Sequence, residues 1–280
     1  ILFDHLHHRC LYLSLDNDAL PESQPPAGAF SEPCLGPVTV HPDRDCYCAG
    51  VARTRELINQ GEAIQVVLST RFSSPFQGDP FDLYRRLRQA NPSPYMFYLN
   101  LPQLTLIGSS PELLVRSTDG LLQERPIAGT RPRGQDESED QRHAQDLLQD
   151  DKEKAEHLML VDLGRNDLGR IATPGSVQVD KFMQVERFSH VMHLTSYLQA
   201  RLQSGLDALD VLKATFPAGT VSGAPKIRAM EIIADLEQQR RGPYAGAVGW
   251  LGLDSPQLNL DTGITIRTLW IEDGHINWQA

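Results

Sequence analysis

Residues 176–202, SVQVDKFMQVERFSHVMHLTSYLQARL, are the longest strand signal in the chain, and how they are read decides the fold. They follow a long helical run directly and stand within a series of further strand signals. AIQVVLSTRFSS (63–74), YMFYLNL (95–101), LTLIGSS (104–110) and ELLVRSTDG (112–120) come before them; YAGAVGWLGL (244–253), LDTGITIRTLWIEDG (260–274) and HINWQA (275–280) come after. β-Branched and aromatic residues bounded by Gly, Pro and Asn mark such segments as strands. Many of them pair locally. Hairpins mixed with helices, without a regular βαβ rhythm, predict an α+β or layered sheet-on-sheet domain rather than a doubly wound one. No internal repeat is evident.

Helices sit between the strands. VARTRELINQGE (51–62) reads as a short helix ending at Gly61. Ser138 to Gln141 has the Ser-x-x-Gln form of a capping box and opens a helical run through LLQDDKEKAEHLMLVDL. A further helix is expected from SGAPK, with Ser222 as N-cap and Pro225 in the first turn. Ala229, Ile232, Ile233 and Leu236 fall on its apolar face, and Gly242 ends it.

Composition narrows the function classes. The chain has 280 residues, 40% hydrophobic and 22% charged, enough for a large core. A formal net charge of −10 argues against a nucleic-acid partner or an acidic membrane surface, although Arg125, Arg131 and Arg133 could hold a small anion locally. Cys10, Cys34, Cys46 and Cys48 form no CxxC pair and have no matching His spacing for zinc, so they read as free cytosolic thiols. No apolar run approaches a membrane span and no signal peptide opens the chain, which makes the cytoplasm the expected compartment.

Residues 17–45 are rich in Pro, Gly, Ser and acid and lack an apolar period, which predicts a linker. CLYLSLD (10–16) alternates as a half-buried strand and reads as the end of a preceding element. The expected organisation is a remnant of an N-terminal subdomain over 1–16, a linker over 17–45 and a catalytic domain over 46–280. The start without Met and the stop just after a strand make both ends read as cut.

Several segments carry candidate chemistry. FPAGTVSGAPK (216–226) sets small residues and hydroxyls ahead of a helix start, where free backbone N–H groups favour an anion; a glycine-rich connector explains it equally well when it stands alone. Glu153 and Glu156 share a helix face and could reach a hard cation such as Mg²⁺. For Glu153, amid DDKEK, a solvated charge is the better reading; Glu156 fits either role. His190 and His193 of SHVMH would point to opposite faces of a strand, so at most one is expected in a site. ERPIAGTRPRG (124–134) packs prolines, glycines and arginines around the small Ala128. It reads either as a stiff turn or as a loop holding an anion where side-chain size matters.

Taken together and in order, GEAIQVVLSTRF, NPSPYMFYL, GSSPELLV, RPIAGTRPRG, AEHLMLVDLGRNDLGR, ERFSHVMHLTS, TFPAGTVSGAPKIRAMEII, GPYAGAVGW and DTGITIRT resemble the chorismate-utilising enzymes, and within them the anthranilate synthase large subunits. The resemblance covers roughly residues 46–280. It implies an α/β domain of the α+β type, with two packed, mainly antiparallel sheets flanked by helices, and Mg²⁺ between protein and substrate.

Carried over residue by residue, it implies that Glu156 binds Mg²⁺, that Glu112 is the acid near the departing hydroxyl and that His193 is the active-site histidine. Gly129, Thr130, Thr220, Tyr244 and Arg267 become substrate contacts, Arg267 as a two-point grip on a carboxylate. In the family a lysine at the place of Ala128 marks aminodeoxychorismate synthases, and a lysine at the place of Gln65 marks the isochorismate- and salicylate-forming members. Ala128 and Gln65 therefore imply ammonia rather than water or a lysine amine as nucleophile.

The implied reaction is amination of chorismate at C2 and loss of pyruvate to give anthranilate, in tryptophan or secondary metabolism. Ammonia would come from a glutamine amidotransferase subunit in a hetero-oligomer. Family members carry a further GAG segment after QA, with a second Mg²⁺ ligand, so a chain ending at Ala280 is expected to have an incomplete site. The rival readings are a 2-amino-2-deoxyisochorismate synthase, an aminodeoxychorismate synthase or an inactive regulatory homologue.

Overall fold

A computed structural model describes residues 2–4, 9–11, 32–188, 191–253 and 258–280. The chain divides into two compact units, Ile1–Glu32 and Pro33–Ala280. In the first, β1 (Leu2–Asp4) and β2 (Arg9–Leu11) pair antiparallel. The strand expected over 10–16 falls mostly outside the described residues, as does His190.

The second unit opens with β3 (Cys34–Leu35), β4 (Thr39–His41), α1 (Arg44–Asn59), β5 (Gln65–Val66), β6 (Arg71–Gln77), α2 (Pro80–Ala90), β7 (Tyr95–Asn100) and β8 (Thr105–Ser110). Next come β9 (Leu113–Thr118), β10 (Leu121–Glu124), β11 (Ile127–Pro132), α3 (Glu137–Gln149), α4 (Asp151–Gly169), β12 (Gln178–Arg187) and β13 (Val191–Arg201). It closes with α5 (Ala208–Thr215), a 3₁₀ turn (Gly219–Val221), β14 (Gly223–Ala224), α6 (Lys226–Glu237), β15 (Ala247–Gly252), β16 (Asn259–Ile264), β17 (Thr268–Glu272) and β18 (His275–Gln279).

Apart from the two-stranded pairs β1–β2 and β5–β14, the described strands make two seven-stranded antiparallel sheets, as the sequence predicts. One runs β11-β13-β10-β9-β16-β15, with β12 also on β13; the other runs β3-β6-β18-β17-β8-β7, with β4 also on β6. The signal at 176–202 is the β12–β13 hairpin. Along β13, Met192, Leu194, Leu198 and Ala200 are buried with the period of 2 that a one-sided core demands. Met192 and Leu194 pack with Ala144 and Leu147 of α3, and Leu198 packs with Val161 and Leu168 of α4 and Val211 of α5. His193 lies on the opposite face of the strand. Tyr95 of β7 donates its hydroxyl to Asp261 of β16 at 2.7 Å, and Arg116 of β9 holds the same carboxylate at 2.8 Å, which links the two sheets.

Several element boundaries differ from expectation. β3, β4 and the start of α1 occupy the end of the stretch expected as a linker, because residues 39–41 find a partner in β6 and Asp43 caps α1 by accepting from Cys46 N. Helix α3 starts under Asp136, which accepts from Glu139 N at 2.8 Å, so Ser138 is inside the helix rather than its cap. Asp150 then accepts from Lys152 N and Glu153 N and divides the helical run into α3 and α4. Ser222 donates to Ala218 O and caps nothing: residues 223–224 pair with β5 first, so α6 starts at Lys226. That helix ends at Glu237, before Gly242, with Gln238 in the left-handed region.

Candidate functional site

The chain passes directly between the two sheets at two places, and both bring a functional side chain to the same spot. β8 runs into β9 through Pro111 and Glu112, and β16 runs into β17 through Thr265, Ile266 and Arg267. Backbone bonds join the crossings to neighbouring elements: Ile264 N donates to Glu112 O at 3.0 Å and Ser109 N donates to Arg267 O at 3.1 Å. Arg267 is held at φ 48°, a left-handed conformation that costs a non-glycine residue about 1 kcal/mol or more. The strain sets where its side chain leaves the backbone.

A cavity of about 430 Å³ lies beside these crossings, and Glu112, Ala128, Thr130, Phe188, His193 and Arg267 are in its wall. That size suits a small-molecule ligand. Burial pushes the Glu112 carboxyl up to about 7, against the weaker opposing pulls of the Thr220 hydroxyl and the Arg267 charge. It therefore keeps its proton far above the ordinary carboxylate range. The exposed Arg267 guanidinium makes no hydrogen bond or ion pair with any described side chain, which leaves its two-pronged donor face free for a ligand carboxylate.

His193 Nδ1 lies 3.0 Å from Gly129 O and 3.0 Å from Thr130 Oγ1. A carbonyl can only accept, so Nδ1 carries the proton and Nε2 is left as an acceptor. Burial lowers the His193 pKa and favours this neutral form. The ring packs on Phe188 at 5.5 Å.

The stretch 124–134 is neither a free turn nor an anion-binding loop. It is strand β11 with a bulge at Gly129, where the register shifts between Ala128 and Thr130. Gly129 has φ 70°, and a Cβ there would lie 3.0 Å from Leu147 Cδ1 and 3.1 Å from Glu153 Oε2. Its three arginines are all taken up by internal pairs. Arg131 reaches Asp146 at 2.6 Å, Asp150 at 2.8 Å and Glu153 at 3.6 Å. Arg133 holds Asp140 at 2.6 Å, and Arg125 pairs with Glu186 beneath the Tyr197 ring. Glu153 is thus a clamp on the strand rather than a solvated charge.

The other expected residues lie elsewhere. Glu156, on α4 one turn beyond Glu153, accepts from Gln65 Nε2 at 3.4 Å, while Gln65 Oε1 is buried without a partner. Thr220 sits on the 3₁₀ turn, its Oγ1 buried and without a partner in good geometry, near the Glu112 carboxyl. Tyr244 lines neither this cavity nor the smaller one that Glu112 also lines; it packs on the main core, 5.4 Å below the Arg241 guanidinium. Phe188 was not legible as a site residue, since a lone aromatic in a strand is ordinary core material. Nor was Glu124, which the sequence offers only as the first residue of ERPIAGTRPRG.

For a hard cation, no group of three or more His, Cys, Asp or Glu side chains comes together among the described residues. Glu156 and the orphaned Gln65 oxygen fit the partial kind of Mg²⁺ site, in which one carboxylate from the protein is completed by water and substrate oxygens.

A buried acid raised in pKa, an exposed guanidinium without a described side-chain partner and a half-buried imidazole lowered in pKa are thus gathered around one small cavity. The chain belongs to the family of chorismate binding enzymes, whose family model matches residues 4–280. It is 59% identical to anthranilate synthase component 1 of Aquifex aeolicus, over 82% of this chain and 46% of that protein. It is 49% identical to the same component of Methanothermobacter thermautotrophicus, over 100% of this chain and 60% of the relative. The chain thus spans about half the length of the curated relatives it matches.

Among solved structures, anthranilate synthase component I from Streptococcus pneumoniae superposes with TM-score 0.80 at 48% identity, over 88% of this chain and 54% of that one. The menaquinone-specific isochorismate synthase of Escherichia coli superposes with TM-score 0.79 at 26% identity, over 92% and 58%. The two-sheet fold is the one these enzymes share.

Proposed function

We propose that the chain is the chorismate-binding part of an anthranilate synthase large subunit, which aminates chorismate at C2 with ammonia and eliminates pyruvate to give anthranilate. The observation that carries this reading is the shared cavity of Glu112, protonated to about pH 7, and the unpartnered Arg267. Arg267 grips a substrate carboxylate through both guanidinium prongs. Glu112 donates its proton to the hydroxyl leaving C4, which departs as water. His193 presents Nε2 as an acceptor beside Thr130 in the cavity wall, Gly129 fixes its tautomer and Thr220 stands near the Glu112 carboxyl, while Tyr244, on the main core, takes no part in this reading. Ala128, buried in the wall, leaves space for ammonia. Gln65, a neutral amide paired with Glu156, cannot activate water as an amine base would.

Glu156 would hold Mg²⁺ with water and substrate oxygens, and the ion would supply Lewis acidity to the reaction. The component 1 relatives imply a second component; we take it to be a glutamine amidotransferase delivering ammonia, in the cytoplasm. No described helix is long and apolar enough to cross a membrane. The test is anthranilate fluorescence from the complete protein supplied with chorismate, Mg²⁺ and ammonium, with free pyruvate measured in parallel. Anthranilate and pyruvate in equal amounts are expected. Amination without pyruvate release would move the assignment to an aminodeoxyisochorismate synthase, and no consumption of chorismate would overturn it.

A further inference from the structure

Glu112 also lines a second chamber, of about 40 Å³, whose wall includes Glu124, Gly164, Asp167 and Thr220. Such a volume admits a short file of waters, since one water needs roughly 10–15 Å³. On this wall Glu124 Oε1 is buried with no protein partner, and Thr220 Oγ1, near the Glu112 carboxyl, has none in good geometry, as expected of groups that water completes. Gly164 of α4 makes the chamber possible: a Cβ there would lie 2.6 Å from Glu124 Oε2 and 2.5 Å from Leu198 Cδ1.

Asp167 has a second neighbour. It pairs with the buried Lys226 at 2.5 Å, and Lys226 also donates to Thr215 O at 2.8 Å. Asp167 and Lys226 line a third cavity as well, an outer groove of about 770 Å³ between α4 and the start of α6, rimmed by the exposed Ile64, Leu158 and Ile227. Shared wall residues relate the three spaces as a series. Asp167 is common to the groove and the chamber, and Glu112 is common to the chamber and the substrate cavity.

We propose that this series is a proton supply line, and that Glu124 is the carboxyl that recharges Glu112 through the second chamber. The inference rests on Glu112 acting as the acid of the proposed reaction. Once Glu112 has given its proton to the departing hydroxyl, its carboxylate takes one from a chamber water, which takes one from Glu124. Glu124 recovers a proton from solvent entering at the Asp167–Lys226 pair. Each departing hydroxyl draws one proton through this line and the ammonia nitrogen added at C2 returns one to solvent, so the cycle consumes no net proton, and the inward supply does not cross the substrate-filled cavity.

The surroundings of Glu124 suit the task. Asp167 faces it from α4, Lys226 from the start of α6, Glu112 from the β8–β9 crossing and Arg125 from its own stretch. Burial first, and the Asp167 charge second, hold the Glu124 carboxyl well above its ordinary range against the pull of Lys226. Both push Glu124 toward the protonated form, the one that can hand on a proton.

Glu124→Gln in the complete protein tests this, because glutamine copies the shape of a protonated glutamate and removes only its transferable proton. Thermal stability and chorismate KM are expected to match the parent. The expected kcat is at least tenfold lower, with a steeper loss toward high pH and a larger solvent deuterium isotope effect. Parental kcat, pH profile and isotope effect would reduce Glu124 to a space-filling residue and overturn the proposal. Infrared spectra of the unaltered protein give a second reading that needs no variant: two protonated carboxyl signals are expected at pH 6, and fewer would equally overturn it. Glu112→Gln serves as the separate control. If that variant keeps the parental rate, the acid assignment itself fails, whatever Glu124 does.

Discussion

Glu112 and Arg267 reach one cavity from the two strand crossings that join the sheets, so an acid and a cation 155 positions apart in sequence are brought to one space by the sheet topology. Neither crossing depends on a flexible loop. The cost of this arrangement falls on Glu112, which is buried in its protonated form, and that cost is measurable.

Glu112→Gln is expected to abolish turnover while stabilising the fold at neutral pH. The folded-state value of about 7 lies above the ordinary 4.5, so between those pH values the folded chain holds a proton that the unfolded chain has released. Stability is full below about 4.5 and declines as pH rises toward 7, by about 1.4 kcal/mol per unit. Urea unfolding should show the variant equal to the parent at pH 4 and more stable at pH 7 by roughly 3 kcal/mol. Equal curves at both pH values would mean that Glu112 ionises normally.

The same proton shapes the rate profile. Activity requires protonated Glu112, so kcat/KM should fall on the alkaline side with an apparent pKa near 7. His193, lowered by burial, remains a neutral acceptor through the window just below that limb. Steady-state rates between pH 5.5 and 9 check this; a plateau running past pH 8.5 would remove Glu112 from the acid role.

Arg267→Lys should raise the chorismate KM at least tenfold, because an ammonium cannot reproduce a planar two-point grip. A KM within error of the parent's would make Arg267 a purely structural residue of its strained crossing.

The legible part of this protein was its inventory of strands and the motifs carrying Glu112, Thr130, His193 and Arg267. The illegible part was where continuous strand signals break. AIQVVLSTRFSS reads as one strand, yet Gln65–Val66 pairs with β14 while Arg71–Gln77 joins a seven-stranded sheet. LDTGITIRTLWIEDG likewise changes sheets at Arg267. Which partner a segment finds is decided by distant residues, and local pattern carries no trace of it. The helices α2 and α5 were not anticipated, although Asp79 and Asp207 cap them in the ordinary way by accepting from Phe81 N and Leu209 N. The arginines of β11 misled for a related reason: composition counts charges, while Asp140, Asp146, Asp150 and Glu186, which neutralise them, lie on later elements.

Gly129→Ala should destabilise the fold by about 1–3 kcal/mol, since φ 70° is unfavourable for alanine and its Cβ would press on Leu147 and Glu153. It should also lower kcat, because the bulge presents the carbonyl that fixes the His193 tautomer. Denaturation midpoints and rates measured together check both effects; a variant with parental values for each would show the bulge to be dispensable.

Ala128→Lys should cut anthranilate formation strongly at little cost in stability, since the added side chain extends into the cavity from a wall that is otherwise fixed. Desolvation there would lower the pKa of the new amine and let it compete as a nucleophile, giving a mass increase on the protein with chorismate. Parental anthranilate rates would show that residue 128 does not select the nucleophile.

The clamp on β11 gives this last substitution a wider meaning. Arg131 and Arg133 fasten the strand to α3 and to Asp150 at the start of α4 from its outer side, while residue 128 projects from the same strand into the substrate space. On the proposed function, mechanical anchorage and chemical choice fall to different residues of one short segment. A lineage could exchange the occupant of that single position, and with it the attacking group, without refitting the scaffold around it, as an interchangeable bit is changed in a fixed chuck.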